Sequence, residues 1–179
     1  EMERVFDVCL ILHADHTFNA STFAAREVAS TRAHMYSAVS AAVGALSGEL
    51  HGGANYEVMK MLLDIKDEGN AEEWVKSKIE NGDRIMGMGH AVYKTVDPRS
   101  MVLKELSKKL SEKTGLAWFD ITKKVEETTA EIMKNRKERD IFPNVDLYSA
   151  SVYYMLNIPM DLNTPIFAIS RVSGWTAHV

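Results

Sequence analysis

The chain has 179 residues, of which 46% are hydrophobic, with 21 basic residues against 25 acidic ones and a formal charge of −4. That length can bury a core of its own, and a slightly acidic chain with no basic run longer than a pair is not built to hold nucleic acid by its phosphates. No stretch approaches the ~18 apolar residues a membrane helix needs, no signal-peptide pattern is present, and the single cysteine, Cys9, can form no internal disulfide.

The expectation is therefore a soluble, cytoplasmic protein with Cys9 as plain core. Glu1 opens inside an apolar pattern and Trp175-Thr176-Ala177-His178-Val179 closes in mid-pattern, so a fragment of a longer chain is expected.

Met2 to His13 is apolar on nearly every side, which predicts a buried helix stopping near Ala14-Asp15-His16. Asn19-Ala20-Ser21-Thr22 supplies capping side chains for an alanine-rich helix through Arg32. From His34, the residues Tyr36, Val39, Val43 and Leu46 step by three or four, and Ser37, Ala38, Ser40, Ala41, Gly44 and Ala45 are all small, so an interior or interface helix is expected. Ser47 to Asn55 breaks the pattern, which Val58, Met61, Leu62 and Ile65 resume.

A short helix is predicted over Ala71 to Glu80, and Asn81-Gly82-Asp83 ends it. Pro98 suits a first turn, and Val102, Leu106 and Leu110 carry a helix to Thr114-Gly115. Ile121, Val125 and Ile132 mark the next, to about Glu138. Pro143 then starts a helix with Val145, Tyr148, Val152 and Leu156 buried and Asp146 in its first turn. Pro159 and Pro165 bracket an irregular connection, and Ile166 to Val179 forms a last buried helix carrying Arg171. With no pair of alternating strands, the fold class is all-α.

Chemistry concentrates first in Gly87-Met88-Gly89-His90-Ala91-Val92-Tyr93-Lys94-Thr95-Val96-Asp97-Pro98-Arg99. Glycines admit close approach of a ligand to the backbone, histidine moves protons near neutral pH, and arginine offers a planar fork to a carboxylate. The dinucleotide fingerprint fails here, because Val92 stands where a third glycine belongs and no strand precedes the loop.

His51, just before a helix start, feels a dipole that keeps its ring neutral, and Gly52-Gly53 behind it leave space for a substrate. A histidine that only caps the Gly-Gly turn is the other reading, and both stay open. Asp97 reads as a helix cap with Arg99 behind it as a bidentate carboxylate ligand. Asp146 alone is a favourable first-turn carboxylate; opposite His51 and His90 it becomes a general base. Arg171 in an apolar helix needs an anion. His13, Asp15 and His16 lack a third good ligand, so no metal is expected, and Tyr153, Tyr154 and the methionines fill core.

Five motifs in order, Asp15-His16-x-x-Asn19-Ala20-Ser21-Thr22, Leu50-His51-Gly52-Gly53-Ala54-Asn55, Gly87 to Arg99, Pro143-Asn144-Val145-Asp146-x-Tyr148-Ser149 and Ser170-Arg171-Val172-x-Gly174-Trp175, closely resemble the citrate synthase family. The resemblance covers the C-terminal part of that family's chain. It implies a multi-helical fold with part of a large domain at 1–51 and 152–179 and a small domain at 52–151, and a homodimer in the cytoplasm. It further implies that Asp146 takes a methyl proton of acetyl-CoA, neutral His51 hydrogen-bonds the thioester oxygen, and His90 protonates the oxaloacetate carbonyl as citryl-CoA forms for hydrolysis.

On the same resemblance His16, Arg99 and Arg171 hold oxaloacetate, while Gly87, Met88, Gly89 and Lys94 meet coenzyme A, an acyl carrier rather than a tightly bound cofactor. Ala91, Leu147 and Ala150 depart from the residues expected there, and a partner-subunit arginine of the family's site would lie beyond Val179. The alternatives are a 2-methylcitrate synthase using propionyl-CoA, a citryl-CoA lyase using the same groups in reverse, and a non-catalytic helical dimerisation module.

Overall fold

The computed structural model describes residues 2–48, 51–90, 93–137 and 140–179; Glu1, Leu50, Ala91, Val92 and Glu138, named above, lie outside them. The described residues form α1 (Met2–His13), α2 (Ala20–Ser30), α3 (Met35–Leu46), α4 (Ala54–Ile65), α5 (Glu68–Glu80), α6 (Pro98–Thr114), α7 (Trp118–Lys137), α8 (Val145–Met155) and α9 (Asn163–His178), with a 3₁₀ turn at Met160–Leu162. The fold is all-α, as expected, and among the described residues the only extended pairing is a single bridge between Met88 and Pro143.

The chain divides into two compact units, Glu1–Ala54 with Pro159–Val179, and Asn55–Ile158. The boundaries fall a few residues beyond the expected 51/52 and 151/152. In the first unit α2 packs on α3, and α9 packs on α1, α2 and α3. Its apolar cluster joins Ala25, Ala38, Ala42, Leu46 and Trp175. In the second unit α6 packs on α8 and α5 on α7, over a core that includes Leu62, Val75, Leu103, Val125 and Val152. Removing each such side chain from water contributes ~1.5–3 kcal/mol.

Several elements differ from the sequence reading. α1 is not buried on every side: only Val5, Cys9 and His13 are buried, and Ile11 is 64% exposed, because within its unit the helix packs chiefly on α9. On α3 the small residues carry the packing, as expected, with only part of the apolar steps turned inward. Ala38 and Ala42 face the core with Leu46, while Tyr36 is 78% exposed; small side chains admit close approach by α2 and α9, and bulky ones do not fit there.

α5 starts earlier, at Glu68, because Asp67 accepts a hydrogen bond from the Gly69 N–H as its N-cap. Pro165 bounds no irregular connection but sits in the first turn of α9, where a missing N–H breaks no helical bond. α8 is buried nearly all round rather than on one face. Cys9 is core, and burial pushes its thiol up to about 12, keeping it protonated at neutral pH.

Candidate active site

His16, His51 and Arg171 belong to the first unit; Gly87, Met88, Gly89, His90, Lys94, Arg99 and Asp146 belong to the second.

In the first unit His51 precedes α4, yet its ring is held by α2. The backbone N–H of Ser21, in the first turn of α2, donates to His51 Nε2 at 3.2 Å, and the Ser21 hydroxyl lies 2.9 Å from the same nitrogen. An N–H that donates to Nε2 needs a lone pair there, so the neutral ring carries its proton on Nδ1. Burial first, and the Arg171 charge second, hold the His51 pKa below the ordinary 6.5. The neutral ring expected from sequence is favoured by desolvation and a nearby cation, with the Ser21 N–H at the start of α2 on its Nε2. Gly52 leaves no space for a ligand either, since a Cβ there would stand 2.1 Å from the Leu46 carbonyl oxygen.

The Asp15–His16 loop is tied down from α9. Arg171, 1% exposed, donates from Nε to the His13 carbonyl at 2.6 Å and lays its guanidinium 4.7 Å above the Phe167 ring. Ser170 donates to the Leu10 carbonyl and the Gly174 N–H to that of Ala14, the latter at 3.1 Å. These three groups satisfy carbonyls that the last turn of α1 leaves without helical partners. Thr17, next to half-buried His16, has φ 51°, a strained value for a β-branched residue, with its N–H donated to Asp15.

In the second unit Asn144 joins the glycine loop to the start of α8. Its backbone N–H donates to the Gly87 carbonyl at 2.9 Å, its side-chain amide donates to the Gly89 carbonyl at 2.9 Å, and its Oδ1 accepts the Asp146 N–H at 2.9 Å. The Gly89 N–H closes the bridge on the Phe142 carbonyl at 2.8 Å. The glycine loop and the start of α8 are therefore held together chiefly by Asn144, with the Phe142 carbonyl beside it. α8 is further fixed from its buried side, where the Tyr148 hydroxyl donates to Glu126 of α7, which Lys104 of α6 also engages at 2.8 Å.

His90 Nδ1 accepts the Tyr93 N–H at 3.0 Å, which places the proton of the neutral ring on Nε2. Its pKa is lowered by burial first; Asp97 raises it and Arg99 lowers it further. Arg99 grips Asp97 through Nε at 3.0 Å and one terminal nitrogen at 2.7 Å, so that edge of its fork already holds a protein carboxylate. Burial pushes Asp97 up, but the Arg99 hydrogen bonds and charge outweigh it and the carboxyl titrates below 3.8. Exposed Lys94 and half-buried His90 line a pocket of about 340 Å³ with Gly89, Tyr93, Asp140 and Phe142.

Ser21, Asn144 and Trp175 stand inside the five motifs, and of the three only Ser21 had an expected role, in the capping run Asn19–Thr22. Asn144, two residues before a first-turn aspartate, carried an N-cap signal; the partnership of Ser21 with His51, 30 residues away, had no local one. Among the described residues no cluster of three or more His, Cys, Asp or Glu is arranged to hold a metal ion, and none of the described helices is long and apolar enough to cross a membrane.

A family model described as citrate synthase, C-terminal domain, matches residues 1–179. The chain is 48% identical over 180 residues to a citrate synthase of Haloferax volcanii, covering 99% of this chain and 46% of that one. To a 2-methylcitrate synthase of Shewanella oneidensis it is 47% identical over 176 residues, covering 98% and 46%. A solved ternary complex of carboxymethyl coenzyme A and oxaloacetate with citrate synthase from the archaeon Thermoplasma acidophilum superposes with a TM-score of 0.90 at 38% identity, covering 99% of this chain and 47% of that one. The chain thus spans about half the length of the curated relatives it matches.

Proposed function

Because the chain belongs to the citrate synthase family, we propose that it is the C-terminal part of an enzyme that condenses acetyl-CoA with oxaloacetate to citrate and coenzyme A, a tricarboxylic acid cycle reaction. The unit Asn55–Ile158 is the small domain of that enzyme, and the flanking segments are part of its large one. The enzyme works as a cytoplasmic homodimer.

The observation that carries the reading is the pair of tautomers. The Ser21 and Tyr93 backbone N–H groups each occupy one ring nitrogen, so His51 presents Nδ1–H and His90 presents Nε2–H as neutral donors. A Claisen condensation needs two such donors, one for the enol oxygen and one for the alkoxide, and a base. Asp146 is the base and takes a proton from the acetyl methyl group. His51 stabilises the resulting enol from Nδ1. The carbon–carbon bond forms at the oxaloacetate carbonyl, whose oxygen takes the His90 Nε2 proton, and water then cleaves the citryl thioester.

His16, Arg171 and the open edge of Arg99 meet the oxaloacetate carboxylates, and Gly87 to Gly89 with Lys94 meet coenzyme A. That the related Thermoplasma acidophilum enzyme is solved with carboxymethyl coenzyme A and oxaloacetate supports these two ligand classes.

Thiol release from acetyl-CoA and oxaloacetate, followed on a polypeptide of family length carrying this sequence, tests the proposal. Turnover that requires both substrates and is lost in Asp146→Ala supports it; unchanged turnover in Asp146→Ala refutes the assigned roles. The 47% identity to a 2-methylcitrate synthase favours propionyl-CoA as the second acyl donor to assay. One methylene discriminates by only ~1–3 kcal/mol, and a higher kcat/KM for propionyl-CoA would move the assignment to that reaction.

A further inference from the structure

His178, in the last turn of α9, meets the loop that carries His16, and both belong to the first unit. Its Nε2 lies 3.0 Å from Asp15 Oδ1, and its ring packs 5.5 Å from the Phe18 ring, which the Arg26 guanidinium covers at 4.6 Å. One imidazole thus touches the residues on both sides of His16 and Thr17. The second Asp15 oxygen, Oδ2, accepts the Thr17 N–H at 3.3 Å, which makes an Asx turn with His16 as its middle residue. That turn holds Thr17 at φ 51°, a conformation that a β-branched residue adopts only when its surroundings impose it.

Burial alone would push the Asp15 carboxyl up, but the Thr17 N–H, the His178 ring and the His16 N–H outweigh it, and Asp15 titrates below 3.8. At neutral pH it is a carboxylate that can only accept, so Nε2 of His178 carries the proton between them. α9 also approaches the same group through Gly174, where a Cβ would stand 2.8 Å from Asp15 Oδ1. With Oδ1 held by His178, Oδ2 stays aimed at the Thr17 N–H. Without that bond the carboxylate is free to turn to water, and the Asx turn loses its acceptor.

We infer that His178 is a positioning residue for His16: by holding Asp15 Oδ1 it fixes the turn that sets the His16 backbone. The substrate meaning rests on the proposed role of His16 as an oxaloacetate ligand. The turn itself is a property of the chain and is read without substrate. Because the His178 ring also packs on Phe18, lost stability alone does not separate the bond from packing, and two variants do. His178→Gln keeps an N–H donor and gives up the ring, whereas His178→Phe keeps a ring and gives up the donor.

The test uses the family-length polypeptide carrying this sequence. Hydrogen exchange by mass spectrometry follows the segment from Asp15 to Phe18, and steady-state kinetics follow oxaloacetate and acetyl-CoA. In His178→Phe that segment should exchange faster, and KM for oxaloacetate should rise about two- to fivefold, the scale of a partly exposed ion pair, with kcat and KM for acetyl-CoA unchanged. His178→Gln should match the parent in both readouts. Asp15→Ala should do at least as much as His178→Phe, and combining the two should add nothing.

Parent-like exchange in His178→Phe overturns the inference. So does His178→Gln impaired as much as His178→Phe, which would assign the effect to the ring on Phe18, or faster exchange with KM for oxaloacetate unmoved in an active enzyme. If His178→Phe fails to fold, Asp15→Ala decides, parent-like exchange there being fatal. A parent without condensation activity in which His178→Phe still speeds the exchange would refute the substrate role of His16 and leave the inference about the turn standing.

Discussion

His51 and His90 both titrate below 6.5, and burial is the first cause for each. Unfolding returns them to the ordinary value, so the unfolded chain takes up protons first as pH falls. Their contribution to stability is full above 6.5 and is lost as pH falls through the lowered folded values. Asp97, held below 3.8 by Arg99 against its burial, adds stability that disappears only at lower pH. Denaturant midpoints should thus fall in two stages on acidification, and Asp97→Asn should remove the second. On the proposed chemistry, Asp146→Asn keeps the shape of the carboxyl group but not its basicity, and kcat should drop by about 10²–10⁴-fold with little change in KM.

Between α8 and the glycine loop, the element that decides the geometry is the three-bonded Asn144. Asn144→Ser retains a helix cap and loses the amide bond to Gly89, whereas Asn144→Ala loses both. Urea denaturation should show a cost of about 1 kcal/mol for the first and about 2 kcal/mol for the second. Gly87 has φ 80°, and a Cβ there would stand 2.9 Å from Leu147, so Gly87→Ala should destabilise by about 1–3 kcal/mol.

The helices themselves were legible in sequence wherever a cap or a proline spoke for them, as at Asn19 and Asp97-Pro98. Which face of α1 or α3 turned inward was not, because periodicity finds a stripe and cannot see the neighbour that covers it. The same limit hid the tie between His51 and α2. A local reading names the helix that follows His51, whereas the N–H bonded to its ring arrives from 30 residues upstream.

At the scale of the molecule, the first unit is discontinuous, since α9 returns after Ile158 to pack with α1, α2 and α3. Trp175 lies in its apolar cluster, and Ser170, Arg171 and Gly174 hold the end of α1. Removal of 159–179 should unfold α1 to α3 and leave the helices of Asn55–Ile158 protected, which hydrogen exchange by mass spectrometry would resolve segment by segment. That the first unit closes only with the return of α9 had no local signal, because no local pattern records long-range return of the chain.

The bonds from α9 to the end of α1 also set an order of events during synthesis. The first unit leaves the ribosome with α1 to α3 complete in sequence but without Trp175 or Arg171. At ~5–20 residues per second, several seconds must pass before α9 is made. In that interval Asn55–Ile158 can fold on its own, and the bond from Asn55 to Ser149 ties its first residue to α8, nine residues before its end. A loop of roughly a hundred residues then behaves as a short one, and the entropy of recruiting α9 falls with it. Until then α1 to α3 lack the Trp175 side chain that joins Ala25, Ala38, Ala42 and Leu46 in one cluster.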